Sequence, residues 1–222
     1  MKKVLVIGDS HALVWDYLQK KGTCTNYKFN VKHVNGATSQ GVNNPNSKTH
    51  ALTHFKESIS LHNDSDYIMI SLGEVDCGFA IWYYADNHNV SIEDQLYRSL
   101  DSYQEFLLSQ VIPVFKNNII LMGSILPTIE DQTDKKLLAG ARSKVKTGIV
   151  ERTELTLRYN TKLKKIAEDL KLFYIDITED IYDPVSKKVL PYYKHKKPYN
   201  HHLNNKTSSK AWIRQLNQLH LK

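Results

Sequence analysis

The sequence predicts an α/β protein: a mainly parallel sheet of about five strands with helices on both sides, a three-layer sandwich. Three observations carry this. Short apolar runs such as Val4-Leu5-Val6-Ile7 and Ile119-Ile120-Leu121-Met122 lack the alternation of a half-exposed strand and suit strands buried on both faces. These runs alternate with longer segments whose apolar residues recur at helical spacing, the order expected of parallel strands joined by crossover helices. The chain has 222 residues, 41% of them hydrophobic, which suffices for one domain over 1–222 with a well-buried core.

The elements follow in order. Val4–Ile7 is bounded by Gly8-Asp9, and Ala12 to Leu18 continues as a helix, so Ser10 falls where a strand hands over to a helix. Lys28 to Val34 alternates apolar and polar residues as a second strand, ending in the turn-rich Asn35-Gly36-Ala37-Thr38-Ser39-Gln40-Gly41. Ala51, Leu52, Phe55 and Ile59 mark a helix, and Tyr67 to Leu72 a third strand that stops at Gly73-Glu74-Val75-Asp76. Ile92, Leu96, Leu100, Tyr103 and Leu107 predict one helix over 91–115, opened by Ser91 and Asp94 in a variant capping box. Asn118 to Gly123 is the fourth strand. The next stretch, about 128–148, turns polar and basic and reads as an excursion near the site. The helical pattern resumes with Leu155, Tyr159 and Leu163; Leu172 to Asp176 is the fifth strand, and Trp212, Leu216 and Leu219 share one face of a closing helix.

Composition narrows the function classes. Thirty basic against 23 acidic side chains give a formal charge of +7. The lysines are dispersed on segments such as Lys162–Lys165 and Lys194–Lys197 and lack the aromatic interleaving of RNA-binding surfaces, so no nucleic-acid partner is expected. Cys24 and Cys77 form no Cys-x-x-Cys pair, which removes zinc-ribbon and redox motifs. No leader-like or membrane-spanning run is present, and the expectation is a cytoplasmic protein without membrane insertion. Val-Ile-Gly-Asp-Ser-His lacks the glycine spacing of a dinucleotide fold.

In an open parallel sheet the loops after the first three strands open at one edge. These loops carry Ser10, Gly36 and Gly73, and adjacent His201 and His202 lie in a loop near the chain end. A serine nucleophile needs a base within hydrogen-bond reach and amide donors where the oxyanion forms, and these segments contain both. Asp9 and Ser10 also suit a plain helix cap.

At these residues the chain resembles the SGNH (GDSL-type) hydrolases, whose fold is flavodoxin-like. Gly8-Asp9-Ser10 resembles the first block of that family, Gly36-Ala37-Thr38-Ser39-Gln40 the second, Gly73-Glu74-Val75-Asp76 the third, and His202-Leu203-Asn204 the end of the last. Arg158-Tyr159-Asn160 and Tyr174-Ile175-Asp176 resemble the segment before it. The resemblance implies Ser10 as nucleophile, His202 as general base, and the amides of Ser10 and Gly36 as the oxyanion hole, with Gly41 the reserve. Two positions depart from the pattern: Val75 stands where the family has its oxyanion Asn, and Tyr199 where it has the triad Asp. Glu74, Asp76, Asp183 or a main-chain carbonyl are the candidates to rebuild the support, Asp9 is a further site acid, and Asp76 is expected to restrain nearby loops.

Gly-Asp-Ser-His-Ala is similar to domains attached to acyltransferases of bacterial surface polysaccharides, and Gly-Glu-x-Asp-Cys to stand-alone members linked to glycan biosynthesis. This implies a carbohydrate ester as substrate, with His11 and His201 as candidate contacts. The expected activity is serine-dependent removal of acetyl or another small acyl group from a sugar. The alternatives are acyl transfer to a polysaccharide hydroxyl and a silent glycan-binding module. No cofactor is expected, and no metal, since the His201-His202 pair has no third ligand at suitable sequence spacing. Trp82-Tyr83-Tyr84 is expected to enter the core rather than to offer a sugar platform, and Lys135 to Lys146 to be a solvated loop rather than a lid.

Overall fold

The computed structural model describes residues 1–138 and 140–221. Of the expected domain 1–222, Ala139 and Lys222 lie outside the described residues, and Ala139 also falls in the expected excursion 128–148.

Five parallel strands, β1 (Lys2–Gly8), β2 (Tyr27–His33), β3 (Tyr67–Ser71), β4 (Ile119–Met122) and β5 (Phe173–Ile175), form one sheet in the order β2-β1-β3-β4-β5. The order reverses between β1 and β3, so the crevice at their carboxyl ends is the switch point at which such sheets bind ligands. Successive side chains of a strand point to opposite faces. Leu5, Ile7, Ile68, Ile70, Ile119 and Leu121 accordingly face one core, and Val4, Val6, Met69, Ile120 and Met122 the other. A continuous apolar run is therefore what a doubly covered strand requires.

Helices α1 (Leu13–Lys21) and α8 (Asn205–Gln218) cover the second face through Trp15, Leu18, Trp212 and Leu216. Helices α2 (Ala51–Leu61), α4 (Ile92–Phe106) and α6 (Ile149–Asp169) cover the first through Phe55, Leu100, Tyr103, Tyr159 and Leu163. Shorter helices α3 (Ile81–His88), α5 (Ile112–Phe115) and α7 (Thr178–Ile181), and a small antiparallel hairpin of β6 (Tyr182–Asp183) and β7 (Lys188–Val189), complete the described elements of this kind.

Three departures from the sequence expectation have physical causes. The helix expected over 91–115 starts as predicted, with the Ser91 side chain accepting from Asp94 N, but breaks into α4, a π turn at Leu107–Val111 and α5. Pro113 lacks an amide and its ring collides with the carbonyl four residues back, which widens the preceding turn. Helix α6 begins at Ile149 rather than near Leu155, because Asp131 Oδ1 accepts from Ile149 N at 2.7 Å and caps the helix from 18 residues away. The Trp82–Tyr84 run lies on α3 beside the core and not in it: Trp82 is half-buried and donates to Cys77 O at 2.7 Å, while Tyr84 is 44% exposed. No described helix is long and apolar enough to cross a membrane.

Candidate active site

Strand β1 ends at Gly8, and Asp9 turns the chain: its backbone N–H donates to Ser71 O of β3 at 3.0 Å, and its side chain accepts from His11 N at 2.8 Å. Asp9 is therefore the cap of the short 3-10 turn Ser10–Ala12. Ser10 is left to face the crevice, and its own amide stands outside the turn's hydrogen bonds, which run from Ala12 N and His11 N to Asp9.

His202 arrives from the other end of the chain. After β7 the backbone makes a 3-10 turn at Pro191–Tyr193 and a bridge between Lys194 and Leu203, and buried Leu203 ties the segment to the core. The two distant segments meet with Ser10 Oγ 2.8 Å from His202 Nε2. On the far side of the ring, Asn200 Oδ1 lies 2.9 Å from His202 Nδ1 and also accepts from His202 N at 3.0 Å. With the amide oxygen accepting from Nδ1–H, the lone pair of Nε2 points at the serine hydroxyl. Burial, reinforced by the neighbouring His11 and His201, pushes His202 down to about 3, so its imidazole is neutral at ordinary pH.

Asn200 is the support that the sequence reading missed; it neighbours Tyr199, the position that the family pattern singled out. Asp183 is not part of the site. It is half-buried in the hairpin and accepts from Val185 N, Ser186 N and Ser186 Oγ, which closes the β6-β7 turn. Glu74 and Asp76 do not touch His202 Nδ1 either.

The loop after β3 holds two fully buried carboxylates with different partners. Asp76 accepts from Ser39 N at 2.7 Å, Gln40 N at 3.0 Å and Ser99 Oγ at 2.7 Å, and so pins the second-block loop to the third. Burial holds its carboxyl above its usual range against these hydrogen bonds. Glu74 is gripped by Arg142, whose Nη1 and Nη2 donate to its two oxygens at 2.9 and 2.6 Å, while His11 Nε2 approaches Oε2 at 3.0 Å as an ion pair without hydrogen-bond alignment. Burial opposes ionisation of Glu74, but Arg142 and His11 outweigh it and hold the carboxyl well below its usual range. Burial works against protonation of His11, yet Asp9 and Glu74 raise it overall. Asp9 is pushed up to about 6, chiefly by burial. Arg142 belongs to the basic excursion, so that segment is anchored at the site instead of being only a solvated loop.

Backbone conformation explains two glycines. In the turn closed by Ala37 N and Val34 O at 3.1 Å, Gly36 has φ +74°, and its own amide takes no part in the turn's bond. Gly73 has φ +116° and lies against Tyr159, which an added Cβ would approach to 2.6 Å; Tyr159 Oη in turn meets Ser39 Oγ at 2.6 Å. Val75 is buried and brings no polar side chain. Next to Ser10 and His202 opens a cleft of about 400 Å³ with Val14, Tyr17, Ile125 and His195 in its wall.

The structure also brings a third imidazole to the His201-His202 pair, which sequence spacing did not show. One ring nitrogen each of His11, His201 and His202 lies within 4.8 Å of the others, so the expectation of no third ligand beside the His201-His202 pair is corrected. His11 comes from the turn after β1, 190 residues away, beyond the reach of any local motif.

No protein-family model and no curated protein matches the chain. Solved structures do. The acetyl xylan esterase AlAXEase superposes with a TM-score of 0.58 at 14% identity, over 98% of this chain and 99% of its own. A GDSL-like lipase from Bacteroides thetaiotaomicron VPI-5482 gives 0.59 at 14%, over 98% and 87%. A variant of an acetyl xylan esterase from Geobacillus stearothermophilus gives 0.58 at 16%, over 100% and 95%. The five-stranded parallel sheet, its helical layers and this likeness over essentially the whole chain establish that the protein has the SGNH (GDSL-type) hydrolase fold.

Proposed function

We propose that the protein is a serine-dependent carboxylic ester hydrolase that removes acetyl or another small acyl group from a carbohydrate. The observation that carries this reading is the chain of contacts Ser10 Oγ, His202 Nε2, His202 Nδ1, Asn200 Oδ1, at 2.8 and 2.9 Å. Ser10 Oγ attacks the acyl carbon while its proton passes to His202 Nε2. The carbonyl oxygen gains the negative charge and is received by the N–H groups of Ser10 and Gly36, which the local turns leave without a partner. Collapse breaks the ester C–O bond, and His202 returns the proton to the departing sugar oxygen. Water then attacks the acyl-Ser10, giving a proton to His202; the acid leaves and Ser10 takes that proton back. Asn200 holds the imidazole in the tautomer this cycle needs, as a neutral amide in the place of the usual carboxylate.

A small acyl group suits the partly apolar cleft beside the serine. The carbohydrate assignment draws on the polysaccharide-associated motif and on the two acetyl xylan esterases among the structures of this fold. The test is hydrolysis of p-nitrophenyl acetate and of acetylated xylo-oligosaccharides by the wild type, Ser10→Ala and His202→Ala. Wild-type turnover on both, with losses of about 10³-fold or more in each variant, is expected. An inactive wild type, or a Ser10→Ala enzyme at full rate, overturns the reading.

A further inference from the structure

We propose that His11, His201 and His202 form a binding site for a divalent transition-metal ion, zinc above all, and that the bound ion switches off Ser10 by occupying the imidazole the serine needs. The binding half stands on the histidine geometry alone; the switching half rests on the hydrolase reading above.

The three rings pack directly on one another, with centroids 4.1 Å apart for His201 and His202, 4.6 Å for His11 and His202, and 5.4 Å for His11 and His201. One nitrogen from each lies within 4.8 Å of the other two. Tetrahedral zinc with Zn–N bonds of about 2.0–2.1 Å places its ligand atoms about 3.3 Å apart, so modest rotations of the rings close the cluster around an ion. An all-imidazole donor set suits zinc, copper or nickel and offers magnesium or calcium little, since those ions prefer oxygen. Three histidines also leave a fourth tetrahedral position open.

One of the rings already has the hydrogen-bonded backing that metal-bound histidines characteristically carry on their remote nitrogen, and a second has a carboxylate beside it. Glu74 Oε2 lies 3.0 Å from His11 Nε2, and Arg142 clamps that carboxylate from behind. Asn200 Oδ1 lies 2.9 Å from His202 Nδ1. On His202 the nitrogen then left for an ion is Nε2, the atom that Ser10 Oγ meets at 2.8 Å, so metal and serine compete for one lone pair. No bond is made or broken in the switch beyond this exchange of ligand for hydrogen bond.

The experiment takes the full chain purified with chelator and titrates it with Co²⁺, followed by visible d–d absorption, and with Zn²⁺ by calorimetry, with Mg²⁺ as the control ion. Each preparation is also assayed on p-nitrophenyl acetate with and without Zn²⁺, then with added chelator. The expected result is one ion per chain with a tetrahedral cobalt spectrum and no response to Mg²⁺. Zinc should inhibit by about 10-fold or more, reversibly with chelator. In His201→Ala, and separately in His11→Gln, affinity should fall by about 10-fold or more. The ratio of rates with and without zinc should approach one in both, whatever their basal rates, with folding checked by circular dichroism. Absence of one-to-one binding, or equal affinity in folded His201→Ala and wild type, overturns the site. Tight binding that leaves turnover unchanged overturns the switch. Metal titration needs no turnover, so an inactive wild type defeats the hydrolase reading and still decides the site.

Discussion

The halves of the candidate site are built differently. Ser10 sits two residues past the end of a central strand, in a turn whose cap, Asp9, is itself bonded to the neighbouring strand. Around it the second and third loops are stitched together by buried Asp76 and by Tyr159 on Ser39. His202 sits on an irregular segment after β7, held by a bridge, by Leu203 and, at its flank, by ion pairs of Glu130 with Lys188 and Lys194. The serine half is continuous with the core, whereas the histidine half is laid against it. Damage to the first should therefore appear as lost stability, and damage to the second as lost turnover.

The sharpest way to break this contrast is Asp76→Ala. Removing the carboxylate strands two backbone amides and a serine hydroxyl in the interior, at about 1–3 kcal/mol for each unsatisfied group, partly relieved by relaxation. A loss of about 3 kcal/mol in chemical denaturation is expected, and a loss below about 1 kcal/mol would show that the loops do not depend on Asp76. The counterpart in the other half is Asn200→Ala. With the imidazole free to tilt, kcat should fall by about 10²-fold while KM stays near its starting value. Stability should change by less than about 1 kcal/mol, and a larger change would make Asn200 a structural residue.

A third prediction concerns pH. A base with an ordinary histidine value of about 6.5 would lose about 30-fold in rate at pH 5. Because burial and two neighbouring imidazoles push His202 down to about 3, the metal-free enzyme, assayed with chelator, should show kcat/KM nearly level from pH 7 to 5. An acid limb near 6.5 that coincides with the NMR titration of the His202 ring itself, rather than with that of Asp9 or His11, would contradict the burial described for this segment.

The smallest effect belongs to Glu130→Gln. Burial tends to raise the Glu130 carboxyl, but Lys188 and Lys194 hold it below its ordinary value. A lowered folded value means stability that is complete above the unfolded value of about 4.3 and lost as pH falls through the folded one. The wild type should exceed the variant by about 0.5–1 kcal/mol at pH 7, and the gap should close in acid. A gap that persists at pH 2 would assign the difference to packing.

The same division explains what could be read before the fold was known. Strand runs, helix faces and the Gly8-Asp9-Ser10 and Gly36 turns are local patterns, and each reflects a periodicity or a backbone need expressed within a few residues. The Ser91 cap was legible for the same reason. Asp131 capping α6, Arg142 reaching Glu74 and His11 joining the His201-His202 pair depend on segments meeting across the sheet edge, and no local spacing encodes such encounters. Asn200 lies between these cases. It is two residues from His202, but a plain asparagine in a polar loop carries no signal until the ring beside it is given a direction.

That closeness has a mechanical consequence. One amide oxygen receives both the backbone and the ring N–H of His202, so the imidazole is braced by its own short stretch of chain. Were this stretch to swing outward and admit a bulky glycan, the ring would travel with its brace attached, still holding the same proton on the same nitrogen. The base would come back to the serine already set for the next turnover.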